Sequence, residues 1–270
     1  MTDRINIFID NGVADVRLVR EDKMNALDDA MFARLISAAE EINADKSVRV
    51  VVLSGQGRAF CAGLDMGNFG KMAEGGQKDD SVAGGRLAPR TYGIANRAQQ
   101  AVWGWHSLRV PVIAAVHGVA LGGGFQVALG ADIRIVHPET KLSILEVKWG
   151  LVPDMSSTAI MRRLAREDII RELTYTGRIF SGTQALEYGF ATKLSETPYE
   201  DAMNLARLIA EKSPSAVQAA KKLYNEIADK SDAEALLAES VAQDKLMGGK
   251  NQIEAVMAGL QKRAGKFADE

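Results

Sequence analysis

A stretch of 22 residues without a formal charge, from Val110 to Ala131, limits the folds open to this chain more than any other feature. It is long enough to cross a bilayer as a helix. However, it contains Pro111, His117, Gln126 and five glycines, and its isoleucines and valines are concentrated in its first third. We therefore interpret it as a buried strand, a glycine-rich turn and a helix, and we predict no membrane span.

The segments around this stretch alternate between strand and helix patterns. Asn11-Gly12 separates two alternating segments, 5–9 and 13–18, as the turn of a hairpin does. Apolar residues at helical spacing follow from Ala26 to Ala44, and the valine-rich segment Val48–Leu53 is typical of a strand buried on both faces. The alternation continues with a helix over 94–107 and strands over 111–116 and 132–136. This order predicts parallel crossovers and an α/β fold.

Two segments depart from the alternation. Residues 67–90 are polar and rich in glycine, which is typical of a lid or binding loop, although a surface insertion explains the composition as well. Beyond about Tyr199 the chain has an almost continuous helix pattern to Lys266. We therefore predict a core over 1–198 and a helical subdomain over 199–270, whose apolar spacing suits packing on the core or on a partner.

Charge and metal-binding side chains exclude several classes of function. A net charge of −2 and a pI near 6.0 provide no general attraction to nucleic acid or to an anionic membrane surface. A single cysteine, Cys61, excludes an internal disulfide, and the three histidines lack the close pairing of metal ligands, so we predict no metal site. The first residues lack the apolar core of a signal peptide, and we expect a cytoplasmic protein.

Two glycine-containing turns, 57–65 and 118–126, directly follow predicted strands. Free backbone N–H groups at such points can approach a ligand closely, and two turns that each aim one N–H at the same oxygen form an oxyanion hole. For either glycine cluster alone, tight packing of helix on strand is the favoured explanation, and the two clusters together, in this order, support the oxyanion hole more strongly. Neither turn has the spacing of a dinucleotide-binding, phosphate-binding or serine-nucleophile motif, and Cys61 is interpreted as an inert packed thiol.

A third candidate segment carries two carboxylates, Glu146 and Asp154, in a largely apolar loop. Partial burial would raise the pKa of both groups toward the range useful for proton transfer. Two other interpretations remain open, namely a salt bridge from Glu146 to Lys148 or an arginine, and Asp154 as the N-cap of a helix that opens at Met155-Ser156.

The order of these segments resembles the crotonase, or enoyl-CoA hydratase/isomerase, superfamily. The resemblance covers essentially the whole chain. It rests on Lys23-Met24-Asn25-Ala26-Leu27, Ala59–Asp65, His117–Gly124, Gly150-Leu151-Val152-Pro153, Ser181–Ala191 and Leu260–Arg263.

This resemblance implies a spiral of ββα units, a helical trimerisation region and a homotrimer or dimer of trimers. It also implies an acyl-CoA substrate with no separate cofactor, because coenzyme A is part of the substrate. The N–H groups of Leu64 and Gly123 would hold the thioester carbonyl. The other residues implied to border the substrate, the last two of them from the tail of a neighbouring subunit, are Lys23, Ala26, Ala62, Gly63, Asp65, Met66, Gln126, Lys262 and Lys266.

The catalytic pair departs from that of the hydratases it resembles. Those enzymes use two glutamates, at the positions of Gln126 and Glu146, and an amide cannot exchange a proton near neutral pH. Glu146 followed eight residues later by Asp154 is similar to the pair of Δ3,5-Δ2,4-dienoyl-CoA isomerases, although those usually carry a third acid at the position of Gln126. Dehalogenases of the superfamily also use the position of Asp154, but with a tryptophan where Glu146 stands.

We therefore predict an isomerase in which Glu146 and Asp154 exchange protons with an unsaturated acyl-CoA. Two alternatives remain open. One is a hydratase that uses Glu146 and a water oriented by Gln126, and the other is an acyl-CoA-binding protein without catalytic activity.

Overall fold

The computed structural model describes residues 3–67 and 87–269. Most of the predicted loop over 67–90 therefore lies outside the described residues. The strands in the described ranges are β1 (Ile5–Asp10), β2 (Val13–Leu18), β3 (Val50–Gly55), β4 (Val112–Val116), β5 (Val119–Leu121), β6 (Ile133–Val136), β7 (Lys141–Ser143), β8 (Phe180–Ser181) and β9 (Lys193–Leu194).

Helices alternate with these strands and then continue to the end of the chain. Those described are α1 (Asp29–Ala44), α2 (Arg97–His106), α3 (Gly123–Leu129), α4 (Ser157–Met161), α5 (Glu167–Thr176), α6 (Gly182–Tyr188), α7 (Pro198–Ala210), α8 (Pro214–Ile227), α9 (Asp232–Leu246) and α10 (Lys250–Leu260). Two 3-10 turns lie at Glu21–Lys23 and Glu146–Trp149.

Six strands form the larger sheet, in the order β1-β2-β3-β4-β6-β9. The β1–β2 pair is antiparallel, and the other neighbours pair in parallel. Asn11 and Gly12 join the hairpin with φ angles of +49° and +81°, the two positive angles that a type I′ turn requires. The predicted hairpin, the parallel crossovers and the α/β class are confirmed.

The valine-rich strand β3 is buried along its whole length because helices cover both faces of the sheet. Val51 and Leu53 pack in the cluster that contains Leu35 of α1. Val50 and Val52 point the other way and pack against the alanines of α7. A strand between two helical layers is apolar at successive positions, which is why its sequence does not alternate.

Helix α7 belongs to the layers that enclose the larger sheet. Its alanines Ala202, Ala206 and Ala210 are buried on the sheet, whereas α9 contains no buried residue. Helices α8 and α10 each contain two buried residues, so the last three helices are less buried than α7. The expected division of the chain between residues 198 and 199 stays a prediction.

The uncharged stretch is divided between two sheets. Strand β4 lies in the larger sheet, β5 pairs with β7 in a three-stranded sheet of order β5-β7-β8, and α3 follows. The predicted succession of strand, turn and helix is confirmed, with β5 as an additional short strand. Within the described residues, no helix is long and apolar enough to cross a membrane.

Candidate active site

The turn after β3 is fixed by the segment that precedes α1. The Leu27 N–H donates to Gly63 O (2.8 Å), and the Asp65 N–H donates to Leu27 O (3.0 Å). A parallel bridge of this kind uses backbone groups on either side of Leu64, so the Leu64 N–H itself points away from Leu27. The bridge therefore leaves the Leu64 N–H of the first glycine-containing turn on the side of the turn that faces away from Leu27.

Helix α1 begins three residues later than the sequence pattern predicts. The Asp28 carboxylate accepts a hydrogen bond from the Met31 N–H (2.8 Å) and is the N-cap of α1. The predicted start at Ala26 is wrong, because Ala26 and Leu27 lie in the extended segment that contacts the turn.

Asn25 connects this extended segment to the first turn. Its side-chain NH2 donates to Gln56 O (3.0 Å) and Ala59 O (2.8 Å), and its Oδ1 accepts from the Arg20 N–H (2.9 Å). Asn25 is fully buried and has a φ angle of +56°, a region that asparagine tolerates better than most residues. Sequence reasoning included Asn25 in a motif but did not predict this role.

The second turn leads into the first residue of α3. The Gly122 N–H donates to Ser143 O (2.9 Å), and Gly122 O accepts from the Gln126 N–H (3.0 Å). Gly123 is the first helical residue, so its N–H has no acceptor within the helix. Among the described residues, neither the Gly123 N–H nor the Leu64 N–H has a hydrogen-bond acceptor.

The two turns lie against each other. The Leu121 N–H donates to Cys61 O (3.2 Å), and the Cys61 N–H donates to Val119 O (3.0 Å). A Cβ on Gly63 would lie 2.4 Å from Leu121 O and 3.7 Å from the Gly123 nitrogen. Only glycine permits this approach, at a φ angle of +90°, and it brings the first turn next to the free amide of the second.

The Glu146 carboxylate adjoins the second turn. Glu146 is 9% exposed, and a Cβ on Gly122 would lie 3.4 Å from its Oε1. Oε1 accepts a hydrogen bond from Gln126 Nε2 (2.7 Å), whereas Oε2 is buried and has no partner among the described residues. The Nζ of Lys148 lies over the ring of Trp149 instead, and the salt bridge considered from the sequence does not form within the described ranges.

Asp154 is half-buried in the loop before α4. That helix begins at Ser157 with Ser156 as its N-cap residue, so the interpretation of Asp154 as an N-cap is wrong. Within the described part of the chain, no ion pair or hydrogen bond joins its carboxylate to another residue. The group is therefore available to a ligand.

The environment of both carboxylates favours their protonated forms. Burial raises the pKa of Glu146 above its ordinary value, and the negative charge of Asp154 adds to that rise. The backbone N–H of Glu146 itself and the Gln126 hydrogen bond oppose it. Burial also raises the pKa of Asp154. Two interacting carboxylates with raised pKa values are suited to general acid–base chemistry.

Gln126 connects α3, Glu146 and the start of α4. Its Oε1 accepts from the Met155 N–H (2.8 Å) and from Ser157 Oγ (2.7 Å). Sequence reasoning missed Ser157, since nothing in the local sequence indicates that a serine 31 residues later contacts Gln126.

The remaining candidates for substrate contacts lie near the first turn or in the tail. Ala26 is buried and Ala62 half-buried, and Lys23 and Met66 are exposed. The Asp65 carboxylate is occupied by an ion pair with Arg20 (2.6 Å) and by the Gly67 N–H (2.8 Å), which hold the turn. The contacts of these residues with a substrate stay predictions.

The tail candidates Lys262 and Lys266 are exposed beyond α10. The end of this segment is held where β3 begins, because the Arg49 guanidinium donates to Phe267 O (3.0 Å) and to Asp269 Oδ1 (2.7 Å). The first glycine-containing turn follows the other end of β3. The last residues of the tail are therefore bound at the end of the strand opposite to the chain's own site.

Comparison with known protein families decides the assignment. The family described as enoyl-CoA hydratase/isomerase matches residues 9–270. The chain belongs to this family. The resemblance inferred from the sequence motifs is thereby confirmed.

Relatives within the enoyl-CoA hydratase/isomerase family have names of both types. The chain is 30% identical to a probable enoyl-CoA hydratase of Bacillus subtilis (strain 168), over 98% of this chain and 99% of that protein. It is 28% identical to a mitochondrial Delta(3,5)-Delta(2,4)-dienoyl-CoA isomerase of Dictyostelium discoideum, over 80% of this chain and 74% of that protein. The similarity therefore identifies the family without separating the two activities.

The fold agrees with solved structures of the same family. The crystal structure of an enoyl-CoA hydratase from Bacillus anthracis superimposes with a TM-score of 0.84 at 27% identity, and the match covers 99% of this chain and 100% of that one. The crotonase-like α/β fold expected from the resemblance is confirmed.

Proposed function

We propose that this enzyme stabilises a thioester enolate and moves a double bond along an unsaturated acyl-CoA. The observation that carries the proposal is the state of Asp154: it is half-buried, unpaired among the described residues, and near enough to raise the pKa of Glu146. The Asp154 carboxylate can carry the second proton of the reaction, which the Gln126 amide cannot do.

The free amides of Leu64 and Gly123 support the first part of the reaction. In the proposed mechanism they donate to the thioester oxygen, which gains negative charge when a proton leaves the acyl chain. Each such donor is typically worth about 10²–10³-fold in rate. The electrons of the broken C–H bond form the new C=C bond of the enolate.

The two carboxylates complete the proton transfer. One of Glu146 and Asp154 takes the proton from carbon, and the other returns a proton at the far end of the conjugated system, so that the double bonds shift and the charge on oxygen disappears. This sequence of steps requires no separate cofactor, and coenzyme A is part of the substrate.

Hydration of a 2-enoyl-CoA is the second candidate, and the hydratase names of relatives favour it. In that reaction Glu146 would activate a water that Gln126 orients. Gln126 Oε1 already accepts two hydrogen bonds, so its contribution to a water would come from its NH2 group. A hydratase of this type does not need the Asp154 carboxylate.

Proton exchange and turnover distinguish these reactions. We expect the enzyme to exchange the α-proton of an acyl-CoA in deuterated water and to convert a 3,5-dienoyl-CoA to the 2,4-isomer. Glu146→Gln and Asp154→Asn should each lower this rate by about 10²-fold or more, because each removes an acid–base group. Glu139→Gln, at an exposed position between β6 and β7, is the matched control.

The alternatives give different results in the same assays. Loss of absorbance of a 2-enoyl-CoA that survives Asp154→Asn would establish the hydratase instead. Tight binding of CoA esters without turnover or exchange on any of them would establish a binding protein and contradict the isomerase.

A homotrimer or dimer of trimers is the assembly we propose. The held tail supports it, since the last residues of the chain lie at the end of β3 opposite to its own site. Exposed apolar side chains on α9, Leu236, Leu237 and Val241, provide a surface for subunit contacts. Light scattering of the purified protein measures the assembly, and a monomeric mass at micromolar concentration would contradict it.

A further inference from the structure

The orientation of the Gln126 side-chain amide is determined by its neighbours. A backbone N–H can only donate, so the Gln126 atom 2.8 Å from the Met155 nitrogen is the acceptor, Oε1. Ser157 Oγ donates to the same oxygen from 2.7 Å, which leaves the NH2 group to face Glu146 Oε1 at 2.7 Å. If the amide were reversed, its NH2 group would face the Met155 N–H and its oxygen would face Glu146 Oε1. Both contacts would be repulsive, and this orientation is therefore strongly disfavoured.

This arrangement makes the two oxygens of Glu146 different. Oε1 is occupied by the Gln126 donor, whereas Oε2 is buried and has no partner within the described ranges. A buried carboxylate oxygen without a hydrogen bond is costly unless a ligand completes its environment. Oε2 is thus the oxygen that remains for a reacting proton.

We propose that Ser157 and the Met155 N–H form a clamp that fixes Gln126 as a hydrogen-bond donor and makes Oε2 the one proton-transferring oxygen of Glu146. The clamp rests on the proposed function, because Oε2 transfers a proton only if Glu146 is an acid–base group of the reaction. Gln126 and Ser157 are positioning residues here, because they act on Glu146 and not on the substrate.

Burial supports a rigid clamp. Gln126 and Ser157 are each 1% exposed, so water does not compete readily for their hydrogen bonds. The clamp joins α3, which starts at the Gly123 amide, to α4, which follows the Asp154 loop. One side chain therefore connects the candidate oxyanion turn, Glu146 and the segment that carries Asp154.

Ser157→Ala tests the clamp by removing one of the two donors to Gln126 Oε1. Asp154 is the charged group that acts on Glu146 among the described residues, and it is unchanged in this variant. We expect the Glu146 pKa to rise by about half a unit or more, because a less firmly oriented Gln126 stabilises the ionised carboxylate less. We expect kcat to fall about tenfold with little change in KM, and Ser157→Thr to restore both readouts.

Two further variants complete the design. Gln126→Met keeps the length of the side chain but lacks the donor, and should raise the Glu146 pKa at least as much as Ser157→Ala. Thr140→Val is the matched control, because it removes a buried hydroxyl that donates to Val116 O and does not contact Gln126.

The Glu146 pKa is measured by NMR titration of protein labelled with ¹³C at the glutamate carboxyl carbon, with Glu146→Gln to assign the signal. This readout is independent of substrate. If no CoA ester is turned over, the proposed function fails while the titration still tests the clamp. A Glu146 titration in folded Ser157→Ala and Gln126→Met that equals that of Thr140→Val would overturn the clamp.

Discussion

Gly63 shows how much of the site depends on a single missing side chain. Its φ angle is +90°, and the position of a Cβ is taken by Leu121 O. The contact is between the two turns whose free amides are proposed to meet one oxygen. A change at this position would therefore separate the two turns as well as strain the backbone.

We expect Gly63→Ala to destabilise the protein by about 2–4 kcal/mol, the range for left-handed strain combined with a steric clash. The enzyme should also lose most of its activity. Gly93→Ala is the control, because Gly93 also has a positive φ, +61°, but no atom within 4 Å of its Cβ position. Urea denaturation measures both variants, and equal losses of stability would contradict the role of the clash.

Cys61 provides a second prediction at this scale. Burial raises the pKa of its thiol to about 12, and its Sγ donates to Asn25 O (3.1 Å). We expect no reaction of the native protein with a disulfide reagent at pH 8 and complete reaction in guanidinium chloride, because only the thiolate is nucleophilic. Rapid modification of the native protein would show that this turn opens.

At the scale of the elements, one buried ion pair connects α8 to the core. Lys221 Nζ donates to Asp132 Oδ2 (2.8 Å) and to Val110 O (2.9 Å), and the Lys221 side chain is only 5% exposed. A cavity of about 480 Å³ lies beside this pair, between α8 and the end of α3. The Lys221 pair at the edge of this cavity is one of the polar contacts that join α8 to the core.

Lys221→Met should therefore loosen α8–α10 before the rest of the fold. We expect a loss of about 2–3 kcal/mol, less than for a fully buried pair because Asp132 is 25% exposed. Lys222→Met is the control, since the neighbouring lysine is exposed in a 3.7 Å pair with Glu226 and should change stability by less than about 0.5 kcal/mol. Amide hydrogen exchange shows which helices lose protection. Equal protection of α8–α10 in Lys221→Met and Lys222→Met would contradict the prediction.

The elements also show what a sequence can and cannot predict. The hairpin and β3 follow from local patterns, because turn chemistry and two-sided burial leave clear signals. Strands β8 and β9 have two residues each, too few for a periodic pattern, and exist because neighbouring strands pair with them. The two turns and Glu146 were identified by motif, but the contact of Ser157 with Gln126 depends on the packing of α3 and α4.

For the whole molecule, the site lowers stability at neutral pH. The folded-state pKa of Asp154 is raised by burial, so the folded protein binds its proton more tightly than the unfolded chain does. The resulting loss of stability is absent below the unfolded pKa of about 4, grows as the pH rises from that value to the folded pKa, and is constant above the folded pKa. The paired carboxylate of Asp28 behaves in the opposite way, because hydrogen bonds from Arg4 and the Met31 N–H outweigh its burial and lower its pKa.

We expect Asp154→Asn to raise the melting temperature at pH 7.5 by about 2 °C or more and to leave it unchanged at pH 3.5. Asp28→Asn should lower the melting temperature at pH 7.5, with a smaller loss as the pH falls through the lowered pKa of Asp28. Calorimetry at both pH values measures the two variants. A stabilisation by Asp154→Asn that is the same at both pH values would contradict burial of the ionised carboxylate as its cause.

The two donors that hold the oxygen of Gln126 have an evolutionary consequence. A carboxylate oxygen accepts hydrogen bonds from Met155 and Ser157 as readily as an amide oxygen does. Every glutamine codon becomes a glutamate codon through one base change. In Gln126→Glu a carboxylate oxygen would replace the NH2 group that now lies 2.7 Å from Glu146 Oε1, so the two acids would have to share a proton. A lineage carrying this gene can thus acquire a coupled pair of acids in a single mutational step.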